Sequence, residues 1–169
     1  MRATSRSIWP ALIAGLVVST GCVRIDRAST TESQKQGITA MTDSIASDLR
    51  ANGPNAWLRY FEQSPGFFMA SDGSMAFPSN DSATKAVRTI AVVLKHADLK
   101  WGALRIDSLS PGMAQLAVPF DESLVDSAGN ETKISGYFTG LAQRGEAGWK
   151  LRNAHWSIVH PATAAKAAR

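Results

Sequence analysis

The chain has 169 residues, with 18 basic and 14 acidic side chains, a formal charge of +4, 44% hydrophobic residues and one cysteine. A single cysteine excludes an intramolecular disulfide, the length suits one domain with one core, and a thin basic excess without a clustered stripe gives no footprint for nucleic acid. The three histidines, His96, His155 and His160, stand without cysteine or carboxylates at ligand spacing, so no metal site is expected. No phosphate loop, nucleophile elbow or dinucleotide fingerprint occurs, so no cofactor is expected either.

At the N terminus, Arg2 and Arg6 precede an apolar run, Ile8 to Val18, that closes with Ser19-Thr20-Gly21-Cys22. This is the layout of a secretory signal segment. The run is far shorter than the ~20 residues that span a bilayer, and Pro10 interrupts it. The ending Val18-Ser19-Thr20-Gly21-Cys22 resembles the lipobox of bacterial lipoproteins, with Ser19 standing where that family usually carries an apolar residue. The resemblance implies cleavage before Cys22, lipidation of its sulfur and a membrane-anchored place in the bacterial cell envelope, facing the periplasm in a Gram-negative cell. The alternative is an ordinary signal peptide and a free thiol, which is unusual in an oxidising compartment.

Residues 1–21 are therefore read as a cleaved signal, 22–34 as the lipidated cysteine and a polar, flexible tether, 35–160 as the folded domain and 161–169 as a disordered tail. Without residues 1–21, 16 basic side chains (18 less Arg2 and Arg6) face 14 acidic ones, leaving a charge of +2.

Within the domain, Ile38, Met41, Ile45 and Leu49 recur at helical spacing, and Asn52-Gly53-Pro54 stops the helix they define. Pro54 suits the first turn of a second helix carrying Trp57, Leu58, Tyr60 and Phe61, so a helical hairpin is expected. Phe67 to Ser71 and Ser74 to Phe77, joined by Asp72-Gly73, predict a β-hairpin. Ser79, Asn80 or Asp81 can cap a third helix marked by Ala83, Val87, Ile90 and Leu94.

Four long strands should follow, at Leu99 to Leu109, Met113 to Leu124, Thr132 to Gln143 and Trp149 to Val159, separated by turn residues. Short connections make them an antiparallel meander, with Pro119 at an edge or a bulge. The expected class is α+β, three N-terminal helices packed on a curved, mostly antiparallel sheet, forming a cone whose mouth takes a ligand.

The closing strands read Gly136-Tyr137-Phe138-Thr139, Gly148-Trp149-Lys150-Leu151 and His155-Trp156-Ser157. This series, with the element order, resembles the SnoaL-like domains (DUF4440 type) of the nuclear transport factor 2-like superfamily over about residues 35 to 160. The resemblance implies a cone-shaped barrel with an apolar pocket, often dimeric through the outer face of the sheet. Isomerases, dehydratases, polyketide cyclases and epoxide hydrolases occur in that family, so fold alone does not name a function.

With strict alternation and no bulge, Trp149, Leu151, Asn153, His155, Ser157 and Val159 share one face of the last strand, an apolar wall with a few polar groups. His155 is read either as a pocket residue or as a core histidine bonded to Ser157 or a carbonyl. Tyr60, one turn from Trp57, is either a pocket donor or packing. Tyr137 and Thr139 share a face, and Trp101 joins the aromatic candidates. The candidate ligand-binding set is thus Trp57, Tyr60, Trp101, Tyr137, Thr139, His155 and Ser157, and an enzyme would use His155 as base and Tyr60 as oxyanion donor.

Proton-moving members of the family pair a carboxylate or histidine base with an oxyanion donor. The resemblance puts the base near Asp72, yet Asp72-Gly73 reads as a turn, and neither Asp107 nor Asp121 sits in an apolar frame. The leading expectation is a membrane-anchored protein that binds a small, largely apolar ligand or a partner without catalysis. An isomerase- or dehydratase-type enzyme and a scaffold that homodimerises through the outer sheet face are the alternatives.

Overall fold

The computed structural model describes residues 27–160, with side chains from Thr31 onward. The stretch read as a signal, Cys22 and residues 161–169 lie outside the described residues.

Helix α1 spans Arg27–Asn52. It buries Ile38, Met41, Ile45 and Leu49 as the spacing predicts. Its start falls inside the stretch read as a tether, so residues 27–34 are helical rather than flexible. The reason is a polar anchor. Gln34, 3% exposed, donates from Nε2 to the carbonyl of Ser110 at 2.8 Å and accepts from the Ser108 hydroxyl. The helix is thereby fixed through a residue that hydrophobic periodicity ignores.

The expected second α-helix is a 3-10 helix, Pro54–Arg59. Seven residues, 54 to 60, between Gly53, whose φ is +67°, and the bridge that pairs Phe61 with Leu151 leave little length for an i to i−4 ladder. A third helix, α2 (Asn80–Val93), is capped by Ser79, which exchanges hydrogen bonds with Ser82. Leu94, expected in this helix, is extended and opens the next strand. In place of three α-helices, the described residues thus hold two long α-helices and one 3-10 helix, with the expected β-hairpin before the last of them.

That hairpin is β1 (Phe68–Ser71) and β2 (Ser74–Phe77). Asp72 and Gly73 have φ of +45° and +81°, the left-handed pair that a two-residue hairpin turn requires. The later strands are β3 (Leu94–Trp101), β4 (Arg105–Ser110), β5 (Met113–Asp126), β6 (Glu131–Gly145) and β7 (Gly148–Ile158).

The sheet order is β2-β1-β7-β6-β5-β3, with β4 also paired to β5. All of these pairs are antiparallel except β1 with β7. The strand expected from Leu99 to Leu109 is two strands, because the chain breaks at 102–104. There the Gly102 N–H donates to the carbonyl of Pro119 at 2.8 Å. Pro119 is accordingly in an interior strand, at the gap where the partner of β5 changes from β4 to β3, and not on an edge.

One face of the curved sheet packs on α1. Leu116, Val118 and Phe120 of β5, Phe138 of β6 and Leu151 of β7 meet the buried face of the helix in one core. Each such side chain contributes on the order of 1.5–3 kcal/mol when fully buried.

Strand β7 does not keep strict alternation. Leu141 pairs with Asn153 but Ala142 pairs with Leu151, so Arg152 is an extra residue in a β-bulge. The bulge sits where the neighbour on the other edge changes. Leu151 exchanges backbone hydrogen bonds with Tyr60 and Glu62, whereas residues 153 to 156 pair with β1. A bulge reverses the facing of everything after it. Trp149 and Leu151 point into the core before it, and Ala154, Trp156 and Ile158 do so after it.

Candidate functional site

The bulge divides the candidate residues between two faces of the sheet. Trp156 points inward and gathers Trp57, Trp101, Phe120 and Phe138, with ring centroids 5.5, 6.0, 4.6 and 4.7 Å away. Asn153, His155 and Ser157 face outward, against the expectation that they share the face of Trp149 and Leu151. His155, Thr139 and Asn153 line a depression of about 340 Å³ on the outer face together with Phe68, Gln115 and Leu141. Tyr137 is on that face too, 47% exposed, and Ser157 is exposed.

On the concave side, a cavity of about 310 Å³ opens between the C-terminal end of α1, the 3-10 helix, α2 and the β1–β2 hairpin. Trp57, Phe61, Phe77 and Trp156 supply aromatic surface. Leu49, Met69, Val87, Ile90, Leu94 and Leu124 supply aliphatic surface. Of the expected ligand-binding set, Trp57 alone lines this cavity. Trp101 packs behind Trp156, and its Nε1 donates to the carbonyl of Thr42 at 2.9 Å. Tyr60 Oη donates to Asp48 Oδ2 of α1 at 2.7 Å. Tyr60 therefore works on the helix side of the sheet while His155 stands on the other face. The base and donor of the expected enzyme do not converge on one substrate.

The cavity does contain an acid that the sequence reading passed over. Glu122 of β5 lines it, and burial pushes its carboxyl up to about 7. Leu116, Val118, Phe120, Glu122 and Leu124 alternate on one side of β5, so period 2 through this strand was the signal that could have found it. An isolated carboxyl in an apolar wall can donate a hydrogen bond when neutral and attract a cation when ionised. Asp72 is the hairpin turn it was read to be. Its Oδ1 accepts from the Ile158 N–H at 2.9 Å, and this hydrogen bond is the main reason its carboxyl is held below the usual range.

Among the described residues there is no group of three His, Cys, Asp or Glu that could hold a metal ion. No helix there is long and apolar enough to cross a membrane.

No protein-family model matches the sequence, and no curated protein matches it. Solved structures do match the fold. A protein provisionally called scytalone dehydratase from Novosphingobium aromaticivorans is 13% identical, with a TM-score of 0.69 over 79% of this chain and 89% of its own. An NTF2-like superfamily protein from Salmonella enterica serovar Typhimurium is 13% identical, with a TM-score of 0.63 over 83% of this chain and 99% of its own. LinA is 9% identical, with a TM-score of 0.64 over 79% of this chain and 90% of its own. The chain has the NTF2-like fold, a cone of helices on a curved, mostly antiparallel sheet. At these identities the likeness carries the fold alone.

Proposed function

We propose that this is a lipid-anchored protein of the bacterial envelope whose domain, SnoaL-like and of the DUF4440 type, holds a small, largely apolar molecule without transforming it. The observation that carries the binding half is the concave cavity of about 310 Å³, walled by aromatic and aliphatic side chains around one acid. Its size and lining fit the usual character of small-molecule sites, which run from roughly 300 to 1,000 Å³. The anchoring half rests on Arg2, Arg6, the apolar run and Cys22. The absence of turnover is supported by the separation of His155 from Tyr60, whose hydroxyl is engaged by Asp48.

Two experiments test the two halves. Native mass spectrometry of the gently purified protein should show a discrete added mass that denaturation releases. Protein that is empty, and stays empty after incubation with apolar extracts of its host, overturns the binding half. Cys22→Ser should move the protein from the membrane fraction to the soluble fraction. A variant that stays with the membrane overturns lipid anchoring.

A second reading, homodimerisation as a scaffold, is favoured by the outer sheet face. Phe68 and Tyr137 are 41% and 47% exposed there, near His155 and Thr139. Sedimentation equilibrium of wild type and Tyr137→Lys tests it, since a dimer built on this face should dissociate in the variant.

A further inference from the structure

Glu122 is the one titratable side chain lining the concave cavity among the described residues. It stands between Phe120 and Leu124 on the inward face of β5, and its register neighbours on β3 and β6 are Leu99 and Ile134. No side chain or backbone group among the described residues hydrogen-bonds or ion-pairs with its carboxyl.

The charged groups of the surrounding elements are directed elsewhere. Asp98 of β3 pairs with Arg50 of α1 at 2.6 Å. Asp98, Lys100, Asp121 and Lys133 line a second depression to which Glu122 also contributes, and their register with Asp121 and Ser123 places them on the face of the sheet opposite the cavity. Helix α2 contributes Val87 and Ile90, the 3-10 helix Pro54 and Trp57, and the hairpin no ionisable group. The cavity thus holds an acid without an internal cation, facing the rings of Trp57, Phe61, Phe77 and Trp156.

That combination is complementary to an organic cation. An ammonium group supplies the charge a desolvated carboxylate lacks, and aromatic faces attract the same positive charge while packing against hydrocarbon. A neutral ligand gains less, because beside Glu122 the lining side chains offer only the Ser71 hydroxyl and the indole N–H groups of Trp57 and Trp156. Resting on the ligand-binding reading above, we propose that the cavity selects an apolar amine, bound as its ammonium ion to Glu122 with its hydrocarbon body against Trp57 and Trp156.

Burial pushes the Glu122 carboxyl up to about 7, so the ionised form that pairs with an ammonium gains population between mildly acidic and mildly basic pH. Amine binding should strengthen over that interval. The binding of a neutral molecule should not.

Calorimetric titration of the chain carrying Cys22→Ser, the form expected in the soluble fraction, with 1-naphthylmethylamine and its neutral counterpart 1-naphthalenemethanol, decides the matter. At about pH 8.5 the amine should bind at least about tenfold more tightly than the alcohol, and at about pH 5.5 the preference should shrink to roughly threefold or less. Glu122→Gln should abolish the preference and its pH dependence, bringing the amine to within about twofold of the alcohol in that variant. Equal affinities with Glu122 in place overturn the amine assignment and leave apolar binding standing. No binding of either probe overturns both. If Glu122→Gln does not fold, the pH dependence of the preference with Glu122 in place decides alone.

Discussion

Tyr60 Oη and Asp48 Oδ2 meet at 2.7 Å, fastening the end of the 3-10 helix to α1. Arg59 reaches the same oxygen at 2.9 Å. The hydrogen bond from Tyr60, and then Arg59, holds the Asp48 carboxyl below its usual 3.8. Burial and the neighbouring carboxylate push the Tyr60 hydroxyl up to about 12. A tyrosine so engaged is a structural donor.

Tyr60→Phe should let Asp48 titrate closer to 3.8, as read from its carboxyl resonance by NMR. The depressed Asp48 value contributes stability above the unfolded pKa that is lost as pH falls through the folded one. The variant should therefore be less stable than wild type at neutral pH, with the gap closing in acid. On the alkaline side the wild type should lose stability between pH 10 and about 12, where Tyr60 ionises in the unfolded chain first, and the variant should not. An unmoved Asp48 titration would assign its depression to Arg59 instead.

Glu122 acts on stability with the opposite sign. Its folded value of about 7 lies above the ordinary 4.5, so the folded state binds the proton more tightly. The stability tied to this proton is fully present below pH 4.5 and declines as pH rises towards 7. Over that shift the loss is up to about 3 kcal/mol, from ~1.4 kcal/mol per unit. Glu122→Gln should remove the decline. Urea titrations at acidic and basic pH should find the variant gaining on wild type as pH rises, and parallel pH profiles would show that the carboxyl is solvated.

Deleting Arg152 tests the bulge. Without the extra residue, plain alternation from Leu151 onward would keep Asn153, His155 and Ser157 outward and Trp156, with its four ring contacts, in the core. The deletion variant should therefore still unfold cooperatively by circular dichroism, at a melting temperature lowered by the lost Arg152–Gln143 hydrogen bond and the straightened strand, and loss of cooperative unfolding would mean that the bulge is needed for more than the facing it sets. By contrast, His155→Ala should leave the melting temperature and the affinity for apolar probes of the concave cavity unchanged. A loss of probe binding in His155→Ala would mean that the outer face takes part in the site.

Gln34→Ala should loosen the first turns of α1. Gln34 answers the Ser110 carbonyl and the Ser108 hydroxyl in a buried setting, and leaving such groups without a partner costs about 1–3 kcal/mol. Hydrogen exchange should quicken in the amides of residues 31 to 38 while the core strands β5 and β6 lose protection only by the global change. Uniform loosening would mean that the helix start is not held by this residue.

Gly136 illustrates what the sequence carries without declaring. A Cβ there would collide with the Ser157 carbonyl, so the glycine of the Gly136-Tyr137-Phe138-Thr139 series is required by the close approach of β6 and β7. As a letter in a motif it supports a fold resemblance. Its reason is a contact between strands 21 residues apart in sequence.

The sequence by itself determined the elements whose signals are local. Ile38 to Leu49 at helical spacing, Asp72-Gly73 with its two left-handed residues, and the alternation of Leu116 to Leu124 each depend on neighbours a few residues away, and together they define the α+β cone. What only the tertiary structure decided is which residues meet. The bulge at Arg152 exists because β7 changes partners between Tyr60–Glu62 and β1, a non-local event that no window of the chain records. It turns His155 to the outer face and Trp156 to the inner one. Glu122 lay within a legible alternation, yet its character as an isolated acid arises from Leu99, Ile134 and the aromatic wall brought around it by folding. Periodicity fixes which side of an element is apolar, whereas a site is made by the few side chains from separate elements that share one small volume, and that sharing is set by register.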